Sequence, residues 1–188
     1  MMSTTLAGES DRAAGSRFGR SLPVLAGALA FALAAVTIAT AWGFQLIGGY
    51  APCALCLEQR LPYYAGLPLI AAGLLADRLG ARLTVLRVAL VLAAGVFAYG
   101  LALGVYQAGA EWAFWPGPTD CGGGVATTAT AGNLLAQIQS TRLVSCTEAS
   151  WRMFGLSFAG WNAVTSLAIV ALTLGGAVIG LRRPGAAR

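Results

Sequence analysis

Four cysteines, Cys53, Cys56, Cys121 and Cys146, are the residues of this 188-residue chain whose type and spacing suit chemistry. Cys53-Ala54-Leu55-Cys56 is a C-x-x-C, and on one helical turn its Cα separation of about 5 Å suits a disulfide. The pair also falls where a helix is expected to start, with Pro52 fixing the turn leading in. Free backbone N–H groups and the positive dipole end lower a thiolate's pKa at such a place. Arg60 stands four residues beyond Cys56, one turn on and on the same face. A guanidinium there stabilises a thiolate or a reduced, anionic ligand, the plainer alternative being an arginine that snorkels to lipid headgroups. The chain has no His and a single C-x-x-C, which argues against a four-cysteine zinc site. Two static disulfides are the other alternative, and four cysteines allow three pairings that the sequence does not separate.

Cys121 and Cys146 lie 25 residues apart in a 42-residue polar segment, Glu111 to Arg152, too long for an idle connection. Trp115-Pro116-Gly117-Pro118 precedes Cys121 and Gly122-Gly123-Gly124 follows it, a stiff turn and then a pliant one. Cys121 is therefore expected on a movable arm. Leu134, Leu135, Ile138, Arg142 and Leu143 permit a short amphipathic helix on a membrane surface.

The elements that must position these cysteines are membrane spans. Residues are 57% hydrophobic and 10% charged, against about 25% charged in soluble domains. That excludes a soluble enzyme, a disordered chain and a nucleic-acid-binding module. Uncharged runs of 26, 23 and 29 residues, Leu22–Ile47, Val88–Ala110 and Met153–Leu181, each exceed what the bilayer core requires. A fourth run, Leu61–Ala76, has only 16 residues, about 24 Å of helix. Starting it near Cys56 lengthens it to about 31 Å and leaves Cys56 at the membrane surface. Pro62 and Pro68 then fall within that helix, where a kink is tolerable among packed neighbours.

The expected fold class is thus an all-α, polytopic membrane protein, a four-transmembrane-helix bundle with spans at about 22–47, 56–76, 88–110 and 153–181. The remaining chain divides into a flexible tail at 1–21, an outer loop at 111–152 and a second tail at 182–188. All 12 basic residues are Arg. Arg12, Arg17, Arg20, Arg78, Arg82, Arg87, Arg182, Arg183 and Arg188 fall on one side, and only Arg60, Arg142 and Arg152 on the other. Positive charge collects in the cytoplasm, so both termini are expected there and all four cysteines outside, where disulfides persist. Trp42, Trp112, Trp115 and Trp151 lie near the outer span ends, as interfacial anchors do. A cleaved signal ending at Ala39-Thr40-Ala41 is disfavoured, because its apolar run is too long and cleavage would leave an odd number of spans.

At these residues the chain resembles the DsbB family of bacterial disulfide bond formation proteins, four-helix inner-membrane thiol oxidases that pass electrons to a quinone. The resemblance covers about residues 22–181. It is carried by Pro52-Cys53-Ala54-Leu55-Cys56-Leu57-Glu58-Gln59-Arg60, by Trp115-Pro116-Gly117-Pro118 ahead of Cys121, and by Cys146 before the last span. Gly160-Trp161-Asn162 is similar to the family as well. The resemblance implies that Cys121 forms a mixed disulfide with a DsbA-like periplasmic dithiol protein and that Cys146 completes its oxidation. Exchange with Cys53 and Cys56 follows, and Cys56, beside Arg60, faces a ubiquinone or menaquinone. No metal is implied. Three other readings compete: a quinone reductase resembling vitamin K epoxide reductases, in which the C-x-x-C sits late in the bundle; a structural four-span protein with static disulfides; and a thiol-electron transporter carrying reducing power outward, which would require cysteines within the spans or open to the cytoplasm.

Overall fold

The computed structural model describes residues 4–118, 142–143 and 147–178. Its elements are α1 (Thr4–Leu46), β1 (Tyr50–Ala51), α2 (Ala54–Glu58), α3 (Leu61–Arg78), α4 (Leu83–Glu111), β2 (Arg142–Leu143) and α5 (Phe158–Val178). Within these, Arg20–Leu46, Leu83–Glu111 and Phe158–Val178 are long and apolar enough to cross a membrane. The fourth long helix, α3, has 18 residues and reaches about 27 Å.

The four long helices form a ring, α1 against α3, α3 against α4, α4 against α5 and α5 back against α1. Outward faces carry apolar side chains such as Leu25, Val36, Leu92 and Leu167, each at least half exposed, as a lipid-facing surface requires. Inward faces combine Ile70, Leu86, Leu90, Phe97 and Ile169, all fully buried, with small residues that let backbones approach. A methyl group added at Gly104 would stand 3.0 Å from the backbone nitrogen of Ala163, so α4 and α5 touch almost main chain to main chain there. Without a hydrophobic drive between helices inside lipid, such close contact is what holds them together.

Gly66 of α3 faces the Phe97 ring of α4, with no room for a Cβ between them. Gly66→Ala should therefore overpack the core and cost about 1–3 kcal/mol. Unfolding of the purified protein by SDS titration checks this, and an unshifted midpoint would mean that the α3–α4 contact yields freely.

Several boundaries differ from those expected. The tail read as flexible is helical from Thr4, continuous with α1; its Ala, Arg and Glu residues are good helix formers that a reading by charge and Ser/Gly content undervalued. Span two does not run unbroken from Cys56: α2 ends at Glu58 and α3 begins at Leu61. Pro62 has no N–H to give the Glu58 carbonyl, and its ring crowds that carbonyl, which favours a break there and a fresh helix start with Pro62 in the first turn. Pro68 is accommodated inside α3. Helix α4 starts at Leu83 rather than 88, because Arg87 halts an uncharged run without halting a helix. Helix α5 starts at Phe158 rather than 153, because Met153 and Leu156 pair across a two-residue turn. Phe154 and Gly155 occupy that turn at φ 53° and 83°, the left-handed conformation that glycine favours.

The amphipathic helix expected around Leu134 to Leu143 lies mostly outside the described residues, but its last two residues are extended. Tyr50–Ala51 pairs in parallel with Arg142–Leu143, Tyr50 against Arg142 and Ala51 against Leu143. At the opposite end of the bundle Arg20 reaches the Asp77 carboxylate at 2.9 Å and donates to the carbonyls of Asp77 and Ala81. This ties α1 to the α3–α4 turn, where Gly80 takes φ 86°.

Candidate functional site

The site forms where α2 meets α3, α4 and α5. Cys53 caps α2 with an extended backbone (φ −72°, ψ 169°), and its sulfur accepts a hydrogen bond from the Cys56 N–H at 3.2 Å. That local fold follows from Pro52, which favours an extended entry, and from the short spacing of the motif. The two sulfurs stand 2.8 Å apart, Cys53 donating to Cys56. No disulfide joins the two, and the hydrogen bond between them is one that the reduced pair makes. Cys53 is buried, at 1% exposure, whereas Cys56 opens into a cavity of about 540 Å³.

The pair lies ahead of α3, outside the long helices. The hydrogen bond that Cys53 donates lowers the Cys56 thiol to about 7, against opposition from burial and help from Gln107. The same bond, reinforced by burial and by the neighbouring thiolate, pushes Cys53 far up. Cys56 is thus the sulfur more readily ionised and Cys53 the one that keeps its proton. Alkylation of Cys56 by iodoacetamide should rise through about pH 7, roughly two units below an ordinary thiol at 9.0, while Cys53 stays inert. Below the midpoint the rate should fall about tenfold per pH unit, since only the thiolate reacts. A midpoint near 9 would contradict the geometry.

A chain of side-chain hydrogen bonds runs from the bundle interior to this thiolate. The Tyr63 hydroxyl donates to Asn162 Oδ1 at 2.7 Å, and Asn162 Nδ2 to Gln59 Oε1 at 2.6 Å. Gln59 Nε2 then donates to Gln107 Oε1 at 2.5 Å, and Gln107 Nε2 to Cys56 Sγ at 3.6 Å. Every link donates toward the sulfur. Gln59 and Gln107 are 6% and 1% exposed, and buried amides satisfied end to end stabilise a charge at the terminus of the chain.

Arg60 caps α3 and lines the same cavity as Cys56. It is 8% exposed, its Nη1 donates to Gln45 Oε1 at 2.6 Å, and its guanidinium lies 5.2 Å from the Trp42 ring centroid. Trp42 in turn donates to the Tyr64 hydroxyl at 3.0 Å. Among the described residues no carboxylate pairs with Arg60. A buried cation with one side-chain hydrogen bond and four N–H donors to spare calls for an electron-rich oxygen. Gln45 and Trp42 thus hold the guanidinium in place.

The cavity wall is otherwise apolar, with Leu33, Val36, Ile38, Phe44 and Phe158 among its residues. Its dimensions and its few convergent polar groups fit a flat, lipid-soluble ring with polar oxygens. Gln45, Tyr63 and Gln107 escaped a reading built on cysteines, while Gln59 and Asn162 entered it only as members of motifs. The signal for Gln107 and Asn162 was present, since a polar residue within an apolar span is a functional candidate by default. Trp42 and Trp151, read as belt residues, also belong to the site's surroundings. Trp151 stacks on Phe158 at 4.9 Å.

Cys121 and Cys146 lie outside the described residues. The chain on either side of them is held near the site. β2, three residues before Cys146, pairs with β1, two residues before Cys53. Gly117, four residues before Cys121, lies so close to Thr147 that a methyl group there would stand 2.5 Å from Thr147 Cγ2. Among the described residues no cluster of side chains is suited to a metal ion.

No curated protein and no solved structure matches the chain. The family model described as disulfide bond formation protein DsbB matches residues 23–175. With that match over most of its length, and with a paired dithiol at the mouth of an apolar bundle, the chain belongs to the DsbB family of membrane proteins for disulfide bond formation.

Proposed function

We propose that this protein is an inner-membrane thiol:quinone oxidoreductase, reoxidising a DsbA-like periplasmic dithiol protein at the expense of a membrane quinone. The observation that carries this reading is the shared cavity, lined by both Cys56 and Arg60 within a largely apolar wall. A soluble acceptor would need no such wall.

Four crossings, with α3 as the second, leave the cysteine end in the periplasm. The nine arginines grouped away from the Cys pair support that orientation. The partner's first thiolate attacks Cys121 of a Cys121–Cys146 disulfide and expels Cys146 as a thiolate; the partner's second thiol then closes the partner's own disulfide and expels Cys121. The two thiols so formed reduce a Cys53–Cys56 disulfide by a second exchange. The tethers at Tyr50–Ala51 and at Gly117 keep that exchange local. A bound quinone supplies the oxidising power, accepting two electrons and two protons. The chain's own work lies elsewhere: Cys53 holds a proton beside Cys56, the amide chain stabilises the Cys56 thiolate, and Arg60, aligned by Gln45 and Trp42, holds the acceptor's oxygen.

The test is turnover. Detergent-solubilised protein, given a reduced DsbA-like thiol protein and a short-chain ubiquinone, should convert quinone to quinol in step with partner disulfide formation. If partner oxidation runs at the same rate without quinone, the acceptor is something else and the reading fails.

A further inference from the structure

Glu111, the last residue of α4, is a carboxyl that thiol–disulfide exchange by itself does not use. It sits one helical turn beyond Gln107, and Gln107 Nε2 donates to Glu111 Oε1 at 3.4 Å. The same nitrogen lies 3.6 Å from Cys56 Sγ and 3.9 Å from Cys53 Sγ. One amide therefore serves a carboxylate and a thiolate together. The second oxygen, Oε2, is shut off from solvent without a hydrogen bond among the described residues. Ser157 and Arg152 are the other polar groups facing Glu111, from the segment leading into α5, and Arg60 is engaged with Gln45 and Trp42. Two full negative charges sharing one donor at a partly dry site repel.

We propose that Glu111 is the proton partner of the Cys53–Cys56 pair, the reduced site holding a single negative charge shared between the Glu111 carboxylate and the Cys56 sulfur. The inference rests on the redox activity proposed for that pair. When Cys56 ionises, its proton passes to Glu111, and the charge of the site is unchanged. When the pair is oxidised, a bond forms between the two sulfurs, and two electrons leave for the quinone. Two protons accompany them, one from Cys53 and one from Glu111, leaving the disulfide and an ionised carboxylate. The reactive thiolate is thus formed without adding net charge to the mouth of an apolar bundle, which burial would penalise.

The test uses the full chain with Cys121→Ser and Cys146→Ser, so that Cys53–Cys56 is its sole redox pair, and a small dithiol reductant with no quinone. Reduced-minus-oxidised infrared spectra at neutral pH should gain the carbonyl stretch of a protonated carboxylic acid. That band should vanish in Glu111→Gln and shift in Glu111→Asp. Iodoacetamide labelling of Cys56 near pH 6 should also be about threefold or more faster in Glu111→Gln, because a repelling carboxylate is gone. A band that survives Glu111→Gln, or the absence of any band in the parent protein, would overturn the proposal and leave Glu111 structural. If Glu111→Gln does not fold, the Glu111→Asp shift decides alone. Because no quinone is added, failure of the quinone reading would show as absent turnover with this band intact.

Discussion

Cys56→Ser should abolish quinone reduction while leaving the partner protein able to form its mixed disulfide with Cys121. Cys121→Ser should do the reverse: no oxidation of the partner, but a pre-reduced Cys53–Cys56 pair that still yields its electrons to quinone. The contrast follows from the site's geometry, in which Cys56 is the sulfur open to the cavity and Cys53 is sealed at 1% exposure. Serine is nearly isosteric with cysteine, so loss of activity can be separated from loss of fold. Trapping of the mixed disulfide on non-reducing gels, alongside quinone absorbance, reads both halves. Quinone turnover by Cys56→Ser at anything near the parent rate would remove Cys56 from the path.

Arg60→Met should raise the KM for quinone by about 10- to 100-fold, the equivalent of one charge-assisted hydrogen bond worth about 1.5–3 kcal/mol. Methionine keeps much of the apolar stem that packs within the bundle, so what is lost is the guanidinium over Trp42 and its bond to Gln45. Labelling of Cys56 at neutral pH should change little, since its hydrogen-bond partners are Cys53 and Gln107 rather than Arg60. A KM that does not move would return Arg60 to the role of a headgroup anchor.

Much of this was legible in the residues. Long uncharged runs announce helices that must face lipid, because nothing else hides so much apolar surface. Cysteine spacing announces a pair, and an arginine one turn past it announces charge where charge is costly. What escaped the sequence are contacts between residues far apart in it. Nothing local says that Gln107 and Gln59, 48 positions apart, meet at 2.5 Å, or that Gln45 and Trp42 of α1 close over Arg60. Asn162 was noticed for its company in Gly160-Trp161-Asn162, and only the closed ring of helices, which lets side chains of α5 and α3 meet across its interior, gives it a role between Tyr63 and Gln59. The expected unbroken helix from Cys56 failed for a local reason, Pro62, whose effect at the start of a span was underweighted.

The central claim is that the Cys53–Cys56 dithiol reduces a quinone directly. The most direct measurement is a single turnover of the full chain carrying Cys121→Ser and Cys146→Ser, pre-reduced, freed of reductant and mixed with excess short-chain ubiquinone. The account predicts one quinol per chain, formed as two thiols disappear. Quinone left unreduced, with both thiols still open to alkylation under denaturing conditions, would contradict it.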